Sequence, residues 1–436
     1  MLHASGAPGS SRGARIASRL TLSVLSRSFR HRNFRLFFAG QFVSLIGTWM
    51  QSVAVSWLVY RLTGSSLALG LVGFVNHLPV FLLGLWGGYL ADRGSKRNIL
   101  VITQAAALVQ ALALAVLTLS GHVTVWLVAG LAMVLGTINA VDMPTRQAFV
   151  VEMVGKEDLH NAIALNSSMF NSARIIGPAL AGILVAAIGE GWCFFCNAVS
   201  YLAVIASLLR MDLPPVKPRE GRTPMASHVA EGLVHAWRDK SMRTILAGLV
   251  IVNLFASSFM VLMPVMADAV LGRGAQGLGF ILAATGGGSV VAALMLAMRR
   301  ESRGLDRYRV LSGLGTGLTL LLFALSRTYW ISLLVAPFVG YCLIFFFAAS
   351  NTLLQLRSPD ALRGRIMALY AITLVGMAPF GSLLAGGLAS LLGVPSTIAV
   401  AGAICCVGIG LLALILPASD LPKPPTSHAT EAPCSS

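Results

Sequence analysis

The chain has 436 residues, 56% of them hydrophobic and only 11% charged, with a formal net charge of +16. Soluble domains carry about 25% charged residues, so this composition excludes a water-soluble fold. The period-two alternation of a β-barrel is also absent.

Residues 1–33 carry Arg12, Arg15, Arg19, Arg27, Arg30 and Arg32 without a cleavable apolar segment. They read as a basic cytoplasmic tail rather than a secretory signal. From Phe34 onward, apolar runs long enough to cross a bilayer recur almost without pause. They predict spans at 34–61, 66–90, 98–119, 123–141, 162–188, 192–210, 244–269, 277–298, 308–326, 329–355, 362–392 and 395–417. The expected fold is an all-α membrane protein of twelve transmembrane helices. An even number of spans puts both termini on one side. Of the 32 Lys and Arg residues, 28 fall in the tails and loops of that side, and Arg61, Arg273 and Arg327 fall opposite. The positive-inside rule makes the basic side cytoplasmic. The charge is therefore topogenic, and no nucleic-acid partner is expected.

The first span carries Gln41, Ser44, Thr48, Gln51, Ser52 and Ser56 at helical spacing. A polar stripe in a membrane helix must face protein or water. Interhelical hydrogen bonding accounts for some stripes; one this long points to a wet central cavity. Asn76 and His77 lie near the middle of the second span. His77 is either a proton carrier or a neutral, satisfied histidine. The hairpin Gly87-Gly88-Tyr89-Leu90-Ala91-Asp92-Arg93-Gly94-Ser95-Lys96-Arg97 packs one acid and three bases between two spans and fixes a membrane boundary. Arg174 is the one base placed inside a span, costly there unless it faces water, a carboxylate or an anionic substrate. In the same span Gly177, Pro178 and Gly182 make a thin, bendable helix, suited to close packing or to motion. Cys193 and Cys196 form a C-x-x-C, and Cys405 and Cys406 are adjacent. All four lie in apolar runs and read as small buried residues, with no metal or cofactor implied.

The loop 211–243 is the one compositional shift, opening with Pro214-Pro215-Val216-Lys217-Pro218. Ala226 to Lys240 reads as a short surface helix. The loop separates a six-span half at 34–210 from another at 244–417, and a Pro/Ser-rich tail, 418–436, reads as disordered. The halves are related. At a shift of 204, Leu180-Ala181-Gly182 meets Leu384-Ala385-Gly386; at 209, Leu69-Gly70 meets Leu278-Gly279. Parallel repeats about the membrane normal are a known transporter architecture. Asn253 in the seventh span is a further cavity candidate. The sixteen carboxylates fall in loops, tails or span ends, Asp142 among the last, so no acid is expected deep in the membrane.

The hairpin at 87–97 resembles the loop-2/3 signature of the major facilitator superfamily. The run from Asp142-Met143-Pro144-Thr145-Arg146 to Glu152, together with Gly177-Pro178, is similar to the siderophore-exporting, proton-driven efflux branch. The resemblance implies two pseudo-symmetric six-helix bundles, a monomer of the inner (plasma) membrane, and a small-molecule substrate exchanged for protons. It implies that Asp92 closes the cytoplasmic side against Asp360–Arg365, including Arg363, and that Arg93 or Arg97 pairs with Asp142 or Glu152. It leans toward export. An importer of the same fold is the nearest rival, because nothing in composition separates direction. A non-transporting scaffold would usually carry a larger soluble domain than the 211–243 loop. No H-E-x-x-H, G-x-S-x-G or phosphate-binding loop is present, so an enzyme or a nucleotide-driven pump is not expected.

Overall fold

The computed structural model describes residues 27–155, 157–212, 234–299, 304–359 and 362–415. Thirteen long helices are labelled here: α1 (Arg32–Thr63), α2 (Ser66–Arg93), α3 (Lys96–Leu119), α4 (Val125–Val154), α5 (Leu159–Ile188), α6 (Glu190–Leu209), α7 (Lys240–Val265), α8 (Gly274–Met298), α9 (Leu305–Leu325), α10 (Tyr329–Arg357), α11 (Arg363–Gly376), α12 (Ala378–Leu392) and α13 (Val394–Ile415). They make twelve candidate spans, α11 and α12 together forming the eleventh. The described chain begins and ends on one face, called here the terminal face.

Local chemistry sets the turns. Gly64 ends α1 at φ 60°, where a side chain would be strained, and its N–H returns to the Tyr60 carbonyl. Ser65, Ser95, Thr124 and Asp239 accept from backbone amides at the starts of α2, α3, α4 and α7. Three departures from the sequence expectation follow from such details. First, α4 runs to Val154, well past 141, because Asp142 and Arg146 pair with each other and Pro144 is tolerated within the helix. Second, the eleventh span breaks at Met377, just before Pro379, which has no N–H to offer the turn behind it. Third, α7 ends in a π turn, Met266–Val270. Cys193 and Cys405 are buried and Cys406 is half-buried, but Cys196 is exposed on the helix surface. Residues 213–233 and 416–436 lie outside the described residues; of the expected surface helix, 234–238 is helical.

Helices α1–α6 pack among themselves, and α7–α13 do likewise. The two most extensive crossings between these groups are α5 with α8 and α2 with α12. Glycine sets both crossings. A Cβ on Gly279 would lie 2.5 Å from the Pro178 carbonyl oxygen and 2.6 Å from the Gly182 Cα. One on Gly70 would lie 2.6 Å from the Ser382 carbonyl oxygen and 2.8 Å from the Gly386 Cα. These four glycines are two of the repeat matches, so the repeat reappears as two symmetry-related contacts. Both lie toward the face opposite the termini. There Tyr60 at the end of α1 also donates to Asp268 in the π turn, at 3.1 Å.

Toward the terminal face the groups part. Phe81 of α2 touches Gly376 and faces the Phe380 ring at 5.8 Å, near mid-helix. Beyond it, Gly84 and Gly88 have open space around them, as does Gly364 at the start of α11. The glycine crossings thus gather toward the face opposite the termini.

Candidate functional site: the central gap

Arg174 is the sixteenth of the thirty residues of α5. At about 1.5 Å per residue it sits some 20 Å from either helix end. Its carbonyl faces Gly286 of α8, so it lies where the two groups meet. The guanidinium lies over the Trp49 ring of α1, 5.9 Å from its centroid, and Phe170, one turn away on α5, meets Trp49 edge-on at 5.6 Å. Arg174 is half-buried, and no carboxylate pairs with it among the described residues. An uncompensated cation at this depth is held only where water or an anion reaches it. His77 is half-buried on α2 without a hydrogen-bond partner among the described residues. Next to it the Asn76 Oδ1 is buried and likewise unpartnered.

The stripe on α1 divides. Thr48 and Ser56 are half-buried and turn their hydroxyls to the carbonyls of Ser44 and Val53; Ser52 is exposed. Gln41, Ser44 and Gln51 are buried, at 2%, 1% and 2% exposure, rather than set along a wet wall. Gln51 donates to Gln110 of α3 (3.1 Å) and accepts from Asn197 of α6 (2.7 Å). The cause is local: Gly40 and Gly47 let α6 approach α1 so closely that Gln51 meets amides instead of solvent.

Asn253 is also committed. Its Nδ2 donates to the carbonyls of Thr373 (3.1 Å) and Leu374 (2.7 Å), which the break at Met377 leaves free. It supports the bend in the eleventh span. Asn253→Leu keeps the volume and strands both carbonyls, so stability should drop by about 2 kcal/mol. Melting in detergent and faster amide exchange over 373–380 would register it; a parental melting curve would refute the assignment.

The charged hairpin is arranged differently from expectation. Asp92 is exposed and makes no hydrogen bond or ion pair among the described residues, of which Asp360 is not one. Arg363 turns to the Gln355 carbonyl at 3.2 Å, so the closing contact with Asp92 is absent. Arg93 stacks on Tyr89 at 4.5 Å. Lys96, not Arg93 or Arg97, pairs with Glu152 at 2.5 Å, because Lys96 begins α3 beside the end of α4. Arg97 donates to the carbonyls of Leu208 and Leu209, both at 2.8 Å, capping α6. Asp142 lies within a helix rather than in the turn after one. It is the eighteenth residue of α4, 1% exposed, and accepts from Thr103 (2.8 Å) and Gln104 (2.7 Å) while pairing with Arg146. The i,i+4 spacing of Asp142 and Arg146 was the signal that would have placed it inside a longer helix. Of the packing residues, Gly177 fits against Trp49 within its own group, whereas Pro178 and Gly182 form the crossing to α8.

Comparison with known proteins agrees with this architecture. Residues 24–433 match the family described as transmembrane secretion effector. The staphyloferrin A transporter of Staphylococcus aureus is 25% identical over 375 residues, covering 84% of this chain and 92% of that protein. The enterobactin exporter EntS of Escherichia coli is 25% identical over 402 residues, covering 91% and 94%. Among solved structures, the nucleoside transporter NupG superposes with a TM-score of 0.71 at 12% identity, covering 88% of this chain and 99% of that one. A bacterial homologue of the human lysosomal transporter Spinster, inward-facing and occupied, superposes with 0.68 at 11% identity, covering 87% and 95%.

Proposed function

Because the chain belongs to the transmembrane secretion effector family, and is thus a multi-pass transporter of the major facilitator type, we propose that it exports an anionic small molecule, of the siderophore class, from the cytoplasm in exchange for protons. The excess of Lys and Arg on the terminal face makes that face cytoplasmic and the membrane the plasma membrane. On this reading the conformation is inward-facing. The halves 34–210 and 244–417 rock about their outer crossings, presenting the central gap to one side at a time. Arg174 carries the proposal. A cation with no carboxylate partner among the described residues, bedded on an aromatic ring at the meeting of both halves, suits a ligand that brings negative charge and flat groups. Thr48, Asn76 and His77 complete the polar wall, with His77 the candidate proton carrier.

Asp92 acts in the other state. When the halves close at the cytoplasmic face, α2 carries it to the start of α11, where a helix N-terminus favours an anion. Its exposure here is what an open gate leaves behind. Asp92→Asn should slow export about tenfold, the effect of removing about 1.4 kcal/mol from the closed state, with membrane insertion unchanged. Undiminished export would reject the gate.

The deciding assay uses inverted vesicles with a panel of metal-free chelators, anionic and neutral. Uptake of anionic chelators into the vesicles, abolished when the pH gradient is collapsed, is the expected result. Movement out of preloaded vesicles, driven by the gradient, would make the protein an importer instead.

A further inference from the structure

Between α1 and α6, at the terminal face, lies a groove of about 550 Å³ lined by Arg32, Arg35, Ala39, Ala203, Ser207 and Arg210, among others. Ligand clefts run to about 300–1,000 Å³, so the space suits a headgroup with part of a chain. It lies apart from the central gap. The two helices touch at its floor, where Gly40 meets Ser207 and the Ala203 carbonyl.

Two of the three charges in this groove have no partner among the described residues. Of the three guanidinium groups, Arg32 is paired with Asp212, at 2.7 Å. The side chains of Arg35 and Arg210 have no hydrogen-bond or ion-pair partner among the described residues, and both are exposed. Arg210 follows the last turn of α6, whose free carbonyls would normally attract it, but Arg97 from α3 already occupies those of Leu208 and Leu209. Two cations are left to face outward over one groove.

Depth identifies the occupant. Arg35 and Arg210 stand at helix ends, at the level of lipid headgroups. Ala39 lies one turn deeper than Arg35, about 6 Å, and Ala203 about two turns deeper than Arg210, about 10 Å. Small residues below paired arginines make a channel that an acyl chain fills once its phosphate is held. The related half does not repeat the residues that line it. At the repeat shift of 204, Ser207 and Arg210 correspond to Leu411 and Leu414, both exposed and apolar.

We infer that this groove binds an anionic phospholipid of the leaflet at the terminal face, the phosphate between Arg35 and Arg210 and the upper chain along Ala39 and Ala203. The guanidinium fork matches phosphate geometry, and a zwitterionic headgroup would bring an ammonium against the same arginines.

The test uses full-length protein, delipidated in non-ionic detergent, with phosphatidylglycerol, phosphatidylcholine or inorganic phosphate added back. Retained lipid is counted by native mass spectrometry and stability followed by melting. The expected result is retention of phosphatidylglycerol about tenfold over phosphatidylcholine, a tenfold ratio being about 1.4 kcal/mol, with no effect of inorganic phosphate. The Arg35→Gln/Arg210→Gln double variant should lose the preference. So should Ala206→Trp, which fills the groove without changing charge and keeps the test decisive if the double variant is unstable. Arg238→Gln/Arg307→Gln, removing two exposed bases outside the groove, should keep it. Equal retention of the two lipids, equal stabilisation by inorganic phosphate, or loss of preference in the second double variant would overturn the site.

Discussion

Gly279→Val should all but abolish transport while both halves remain folded and inserted. Even the first carbon of the new side chain would fall 2.5 Å from the Pro178 carbonyl oxygen, 2.6 Å from the Gly182 Cα and 2.8 Å from the Gly182 nitrogen. All three are backbone atoms of α5, with no flexible end to swing aside. The strain is relieved only by moving α8 off α5. Overpacking typically costs about 1–3 kcal/mol, and about 1.4 kcal/mol is tenfold in a conformational equilibrium, so transport should fall by roughly ten- to a hundredfold. The outer ends of the helices should also separate, which spin labels at Ile188 and Arg273 would report. Gly70→Val should act the same way at the related crossing. Gly84→Val, placed where nothing lies within 4 Å, should be close to neutral. Parental transport with unchanged label distances would disprove the role of these crossings.

Arg174→Ala should lower transport of anionic substrates by about ten- to a hundredfold, the loss of a charged hydrogen bond of about 1.5–3 kcal/mol, and spare neutral ones. Arg174→Lys should recover only part, because an ammonium lacks the flat face that rests on Trp49. A second readout separates binding from architecture. Among the described residues the guanidinium has no acid partner, so removing it relieves a desolvated charge and should leave thermal stability unchanged or raised. Destabilisation together with equal loss for neutral substrates would make Arg174 a structural residue.

Much of the architecture was legible in the residues. Helix number rests on long apolar runs, which bilayer thickness makes nearly unambiguous. The matches Gly70 with Gly279 and Gly182 with Gly386 marked, without naming it, where the halves touch. What stayed hidden is rotational and lateral. A polar stripe must face protein or water, and periodicity does not say which; for Gln51 the answer lay in Gly47, which draws in Asn197 from a helix distant in sequence. Asn253 looked like a cavity wall because the break at Met377 that employs it has no strong sequence mark beyond Pro379. In the hairpin, spacing identified the bases but not their partners, so Lys96 holds the acid, Glu152, that was expected to pair with Arg93 or Arg97. Asp142 was placed at a span end because the span was drawn to stop at 141, whereas the helix runs on to Val154.

The glycine crossings also set a mechanical ratio. Each lies within a few residues of the outer helix ends, about 30 Å, at 1.5 Å per residue, from the far tips of α2 and α8, so in the proposed rocking it would serve as the fulcrum. A tilt of about 10° at such a fulcrum, small enough to leave the contacts intact, swings the far tip through about 5 Å, the pitch of one helical turn. A wide mouth on one side can thus open and shut while the pivots scarcely move, which is why a single methyl group at a pivot weighs more than a bulky residue at the tip.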